Sequence, residues 1–391
     1  MLSKKSLVIF SLSLILILAF TFCMNVGAEE KVVKIGFIGP LTGPNAAQGV
    51  GAKNSFDLAV KLANESGDFP YKIVVVATDD ASTPSTGAAA AMKLLSDPDV
   101  VAVSGHWNSP VASATIPIFK NAKIPLVIWG AVAEDLTCAE NYPIINRVCP
   151  TLAQENIPLA KFIIDEKGYK NWVIISDTSS YGKNLTFVWT SELESRNDTK
   201  LISLDEVQIG QTDFKAILSK IKNLNPDAVY FSGMVMEAAL IRRQMYDVGM
   251  GDTILVSISG IADDKFIEIA TPEFAEGTIC TTPGKTLDKL AKGQEFMENY
   301  EKYGYKEPYG AYGQYAYDAA NVILQALKEV GPDSAKMIEA IPKVSLDGLL
   351  GVTTFNEIGQ TNNTLSTILV VDDGVWVDYN DSNYKTGKKS L

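Results

Sequence analysis

The stretch Val100-Val101-Ala102-Val103-Ser104-Gly105-His106-Trp107-Asn108-Ser109 decides the fold. A short run of small and β-branched residues suits a buried strand. It breaks at Gly105 and gives way to residues 111–119, whose apolar positions suit a helix. The same design returns at Ala228-Val229-Tyr230-Phe231-Ser232-Gly233, followed by a helical pattern over 237–248. Both runs end in Ser-Gly. Working outward, strands are predicted over 34–39, 72–77, 100–104 and 126–129, separated by helices over 52–64, 86–95 and 111–119. A second series follows: strands over 172–176, 201–207, 228–231 and 254–258, separated by helices over 181–193, 214–224 and 237–248. The fourth strand of each series runs into glycine, Gly130 and Gly260.

Such alternation means an α/β fold, with parallel sheets covered by helices on both faces. The element-by-element repeat predicts two lobes of like design, with a seam near 146–150. Later helices over 287–303 and 312–328, and strands over 368–371 and 375–377, must complete one or both sheets. The chain must therefore cross between lobes again, near Thr281 and near Leu365. The expected organisation is a signal segment over 1–28, a first lobe of 31–148 plus 281–365, and a second of 149–280 plus 366–391. Several crossings make a hinge, and a hinge between two open sheets allows closure.

The bulk properties agree. The chain has 391 residues, enough for two domains, and its 47% hydrophobic and 20% charged content is that of a folded protein. A formal net charge of −12 without a basic run argues against nucleic acid as a partner. Lys4 and Lys5 precede an uncharged apolar run from Leu7 to Phe22, then Val26-Gly27-Ala28. This layout predicts a secretory signal peptide cleaved after Ala28, and so an exported protein, periplasmic or extracellular. The rival readings are an uncleaved anchor and a lipoprotein tethered to the cell surface through Cys23. Cys138 and Cys149 flank a short segment and suit a local disulfide in an oxidising compartment, the alternative being free thiols. Cys280 sits in a strand-like run and reads as core.

Ligands of open α/β sheets bind beyond the carboxyl ends of the strands. There Ser109 falls near a helix N-terminus, where free N–H groups and a hydroxyl would receive a carboxylate; its bland role is a helix cap. Trp107 and Trp129 end predicted strands and would give a cleft an apolar face, or fill the core. Tyr181 and Tyr312 lie near helix starts and would press on a ligand from the cleft wall. His106, the one histidine, reads as structural. No Gly-x-Ser-x-Gly elbow, nucleotide-binding glycine motif or zinc spacing occurs. No enzyme activity, metal or cofactor is expected.

Ile35-Gly36-Phe37-Ile38-Gly39-Pro40-Leu41-Thr42-Gly43-Pro44, Thr78-Asp79-Asp80, Gly105-His106, Ser180-Tyr181-Gly182 and Ala275-Glu276-Gly277, in this order, make a pattern. It resembles the type I periplasmic solute-binding proteins of ABC transporters, in the branched-chain amino acid and amide group. The resemblance spans nearly all of the chain after the signal segment. It implies two Rossmann-like lobes with parallel-core sheets and a multi-crossing hinge. It also implies a monomer that carries a small solute to an ABC transporter permease. The alternatives are a sensor feeding a membrane receptor and an amide hydrolase on the same scaffold.

Carried over by position, the resemblance implies that Ser109 holds a ligand carboxylate, with Trp107 and Asn108 in the same loop. Backbone contacts fall on Gly130 and Ala131, aromatic walls on Tyr181 and Tyr312, and Gln48 stands near the cleft mouth. Three positions depart from the amino acid binders. Val132 replaces a threonine, Met234 a tyrosine, and Ser259 the acidic residue that holds the ligand ammonium. Glu134, Asp135 and Glu237 are the substitutes on offer. These departures lean the expectation towards a carboxylate, amide or aromatic acid without an α-amino group.

Overall fold

The computed structural model describes residues 31–285, 287–363 and 366–391. The expected signal segment, with Cys23, and the expected crossing at Leu365 lie outside the described residues.

The first sheet holds β1 (Val32–Gly39), β2 (Lys72–Asp79), β3 (Val100–Ser104), β4 (Leu126–Ile128) and β5 (Ile145–Arg147). Its spatial order is β2-β1-β3-β4-β5, and every pairing is parallel. Three helices connect its first four strands: α1 (Ala46–Ser66), α2 (Pro84–Leu95) and α3 (Ser109–Ala122). α4 (Leu152–Ala160) then leads to β6 (Asn171–Asp177), α5 (Ser180–Glu194), β7 (Lys200–Val207), α6 (Lys215–Lys222), β8 (Ala228–Ser232), α7 (Val235–Asp247) and β9 (Ile254–Val256). After α8 (Asp264–Ala270) and α9 (Pro272–Ala275) comes β10 (Ile279–Pro283). The chain continues through α10 (Gly293–Lys302), α11 (Gly313–Val330), α12 (Ser334–Ala340), and a hairpin of β11 (Leu346–Gly348) and β12 (Gly351–Thr353). It ends in β13 (Ser366–Asp372) and β14 (Val375–Asp378).

The second sheet runs β14-β13-β10-β9-β8-β6-β7. Its β7-β6-β8-β9-β10 part is parallel and repeats the order of the first sheet, while β13 and β14 are added antiparallel. Both late strands thus join the second sheet. The strand entering the hinge runs through Pro283, so the chain leaves this sheet two residues after the crossing expected at Thr281.

Hydrophobic periodicity explains why α11 returns to the first sheet. Tyr315, Ala316, Ala319, Ala320, Ile323 and Leu327 share one buried face, and α11 packs along α1. Beside the first sheet, Phe37 stacks on Trp129 at 5.6 Å. Beside the second, Trp189 lies parallel to Tyr230 at 4.3 Å and edge-on to Trp172 at 5.0 Å, and the apolar core that holds both groups runs on from one lobe to the other.

The hinge is held by Arg147, a fully buried residue at the end of β5. Its Nε donates to Gln360 Oε1 at 2.5 Å, Nη2 to Thr137 Oγ1 at 2.9 Å, and Nη1 to the carbonyls of Ala131 and Ala133 at 3.1 and 2.6 Å. Its backbone pairs with Gly359 and Thr361, so two passages of the chain run side by side there. The expected Cys138–Cys149 disulfide is absent. Both are free thiols, and the buried Cys149 Sγ donates instead to the Ala131 carbonyl at 3.7 Å.

Trp189 carries the aromatic stack of the second lobe. Trp189→Ala should destabilise the chain by about 3–5 kcal/mol. Urea unfolding would show a lower midpoint at an unchanged slope. A loss below about 1 kcal/mol would contradict this packing.

Candidate ligand cleft

In a 2-1-3-4-5 sheet the first and third strands lie side by side while their crossovers leave on opposite faces, which opens a crevice at their carboxyl ends. Here the crevices lie beyond β1 and β3, and beyond β6 and β8. The loops that fill them bring the sequence candidates together.

From the first lobe, Gly105 releases the chain into Asn108, the extended cap residue of α3 (φ −89°, ψ 131°). The Asn108 side chain does not cap the helix, and its buried Oδ1 has no hydrogen-bond partner. Pro110 contributes no N–H to the first turn. Ser109 is the first helical residue rather than the cap, and its Oγ accepts the Ala133 N–H at 3.1 Å. Gly130 and Ala131 direct their N–H groups to the His106 carbonyl, at 3.1 and 2.9 Å, and the Ala131 carbonyl is taken by Arg147. A Cβ on Gly130 would stand 3.0 Å from Trp107, which explains the glycine. The Val132 carbonyl accepts the Leu152 N–H at 2.9 Å. His106 itself is structural: Nδ1 meets Asp80 Oδ2 at 3.0 Å and Nε2 meets Thr115 Oγ1 at 2.8 Å, all buried.

From the second lobe come Tyr181, in the first turn of α5, Met234, the cap residue of α7, and Ser259 after β9. The buried Tyr181 hydroxyl faces the Gly260 backbone but makes no hydrogen bond. A Cβ on Gly260 would come within 2.5 Å of that hydroxyl, so any larger residue would have to displace the Tyr181 side chain. Tyr312 precedes α11, and its ring stands edge-on to both Trp107 and Trp129 at 6.4 Å. Its hydroxyl meets Ser259 Oγ at 2.8 Å across the two lobes. Burial holds the Tyr181 and Tyr312 hydroxyls well above the usual tyrosine range, so both stay neutral. Gln48, on α1, makes a second crossing: its Nε2 donates to Asp263 Oδ2 at 2.5 Å, while its Oε1 has no partner.

Trp107, Tyr181, Ser259 and Tyr312 are thus brought into one buried cluster. Beside it, from Ala47 and Gln48 past Asp263 and Thr282 to Ala311 and Gln314, runs a more open groove of about 710 Å³. The groove adjoins the aromatic cluster without including it.

The acidic substitutes considered from sequence do not reach this place. Glu134 and Asp135 are exposed, and Glu134 receives the Ala153 N–H. Glu237 receives Gly210 N–H. The acid that does reach it is Glu155, on α4, which sequence reasoning missed. It is fully buried. Its Oε2 accepts the Ser259 N–H and the Thr281 hydroxyl, both at 3.3 Å, and its Oε1 has no partner. The signal was present. Leu152, Glu155, Asn156, Leu159 and Ala160 recur at helical spacing, so a charge sits on an apolar face.

Comparison with known proteins bears on this arrangement. The family model described as periplasmic binding protein matches residues 32–374. The chain belongs to the periplasmic binding protein family. Among its relatives, the Leu/Ile/Val-binding protein BraC3 of Rhizobium johnstonii is 30% identical over 336 residues, covering 84% of this chain and 88% of the relative. Among solved structures, the isoleucine complex of the substrate-binding protein LivJ of Streptococcus pneumoniae superposes with a TM-score of 0.80. It is 23% identical and covers 89% of this chain and all of that one. A solute-binding protein of R. palustris in complex with 4-hydroxybenzoate gives 0.78 at 21% identity, covering 89% and 95%. At these identities the two structures show the fold. The family is one of binding proteins, with the two-lobed α/β architecture expected from the sequence. Among the described residues no helix is long and apolar enough to cross a membrane.

Burial pushes the Glu155 carboxyl up to about 7 from its ordinary value of 4.5. The folded state therefore holds this proton more tightly than the unfolded chain. The stability this contributes is complete below pH 4.5 and is lost as pH rises through about 7. Asp318, pushed up to about 6 by burial, adds a loss of the same sign. Glu155→Gln isolates the first effect. Its stability advantage over the native chain should grow between pH 5 and pH 8, to roughly 3 kcal/mol. Equal pH profiles in ligand-free denaturation would contradict the burial of this carboxyl.

Proposed function

We propose that this chain is an extracytoplasmic solute-binding protein that closes its lobes over a small carboxylate-bearing solute and delivers it to an ABC transporter permease. The observation that carries the reading is the set of buried, unpartnered polar atoms contributed by both lobes, Asn108 Oδ1 from the first and Tyr181 OH and Glu155 Oε1 from the second. Buried polar groups are almost always hydrogen-bonded, and a polar solute between the lobes satisfies them.

In this reading the first lobe, residues 31–148 with the segment from the hinge to 365, receives the solute. Ser109, Asn108 and the first turn of α3 take its carboxylate, since the helix N-terminus offers N–H groups and partial positive charge. Gly130, Ala131 and Val132 floor the pocket. The second lobe then closes with Tyr181, Met234 and Ser259, while Tyr312 and Trp107 supply an apolar wall. Gln48 and Asp263 latch the mouth. The protein works as a monomer, exported through its N-terminal segment. The relatives named for leucine, isoleucine and valine, and the neighbour holding an aromatic acid, support a solute with an acid group and an apolar body.

Purified protein lacking residues 1–28 should be stabilised by such solutes. A ligand at about 100 times its dissociation constant adds about 2.7 kcal/mol, visible as a raised melting temperature. Ser109→Ala should weaken binding by about 1.5–3 kcal/mol and should also lower the ligand-free melt, because the buried Ala133 N–H loses its acceptor. No stabilisation by any branched-chain amino acid, aliphatic acid or aromatic acid in calorimetry and thermal shift would refute the reading.

A further inference from the structure

We infer that Glu155 is the specificity-determining counter-ion for a cationic group on the solute, and that the solute's charge replaces a proton on this carboxyl when the lobes close. The inference rests on the solute-binding reading and deepens it.

Three observations carry it. First, the position. Glu155 lies on α4, the first helix after the Arg147 crossing, and is tied to Ser259, just after β9, and to Thr281, within β10. Ser259 in turn bonds Tyr312, which reaches in from the first-lobe side. The carboxyl is therefore built into the closed cleft. Second, the missing partner. Oε2 has two long hydrogen bonds and Oε1 has none, in a residue fully removed from water. Third, the surroundings. The titratable groups that face it are Tyr181 on α5, Tyr230 on β8, Tyr312 and Tyr315 at the start of α11, Cys149 before α4 and Cys280 on β10. None is basic. Tyr230 is already bonded to Asn156 at 2.6 Å and Tyr312 to Ser259.

A carboxylate left unpaired in such a place is costly. Two states avoid the cost. Without a ligand the group holds its proton, in keeping with the direction of its titration. With a cation beside it, the group ionises. The cleft then has two electrical ends: the N-terminus of α3 in the first lobe favours an anionic group, and Glu155 in the second favours a cationic one. A zwitterion spans both. The acid absent at Ser259 in the chain is thus supplied in space by the residue bonded to the Ser259 N–H. Uptake of a cationic solute below about pH 7 must release a proton, so affinity falls about tenfold per pH unit there.

The test is calorimetry of the protein without residues 1–28 between pH 5.5 and 8.5, with leucine and its des-amino analogue 4-methylpentanoate. For leucine the expected affinity rises about fivefold from pH 6 to pH 7, about tenfold by pH 8, and levels above. At pH 6, titrations in buffers of different ionisation enthalpy should show close to one proton released. Affinity for 4-methylpentanoate should stay flat or fall with pH. Glu155→Gln should lower leucine affinity at pH 8 by 100-fold or more and abolish the rise, while its thermal melt keeps the protein verifiably folded. Tighter or equal binding of 4-methylpentanoate at pH 8, or a leucine profile unchanged by Glu155→Gln, would overturn the role of Glu155 and leave the solute-binding reading standing. Failure of both probes to bind the native chain would overturn the two together.

Discussion

A guanidinium without a carboxylate in hydrogen-bonding contact sits where the lobes join. Arg147 is buried, and burial alone would disfavour its charge. It is held by four hydrogen bonds to neutral oxygens, from Ala131, Ala133, Thr137 and Gln360. Burying a charge is tolerated only when its donors are satisfied. The fork therefore dictates the shape of its surroundings. It fixes the loop after β4 that floors the cleft, and it ties the first passage through the hinge to a later one at Gly359 to Thr361. The neighbouring Gln360 donates onward to the Cys149 carbonyl at 2.9 Å, at the start of the segment that leads into α4. One side chain thus aligns the ligand loop, the hinge and the helix that carries Glu155.

Around this junction stand several buried polar atoms without partners. Within the lobes some buried groups are paired, as Tyr230 with Asn156 and Asp318 with the N–H groups of Leu349 and Leu350, and others, such as Trp189 Nε1 and Arg242 Nε, are not. The unpaired atoms of Asn108, Tyr181, Glu155 and Gln48 are those that stand near the lobe interface. Among the described residues, Tyr312–Ser259 and Gln48–Asp263 join the lobes by side-chain hydrogen bonds around the site. A solute that satisfies the unpaired atoms shifts the balance towards closure by the difference in its affinity for the two states.

The alternation of strands and helices was legible because each buried parallel strand is a continuous apolar run. The strand at Val100–Ser104 agrees to the residue, and the Ser-Gly endings mark both switch-point loops. Trp107, named beside a strand end, Tyr181 and Tyr312, named near helix starts, and Ser259, named from the resemblance, lie in one buried cluster. What escaped lay between the repeats. The segment from 149 to 170 carried no strand signal, and α4 passes into a π-helical turn over Lys161–Glu166 after Pro158 removes a donor. With α4 unread, Glu155 went unseen, and an acid was sought at Ser259 in the chain rather than near it in space. The Cys138–Cys149 pairing failed for a similar reason: closeness in sequence said nothing of the direction of Cys149, which follows the last strand of the sheet into the core.

A crystal structure grown with leucine tests the central claim most directly. The account predicts one molecule enclosed between the lobes, its carboxylate within hydrogen-bond distance of Ser109 Oγ and the first turn of α3, and its ammonium within that distance of Glu155 Oε1. Leucine seated instead in the groove between Gln48 and Asp263, or a closed cleft with Glu155 and Asn108 still unpartnered, would contradict it.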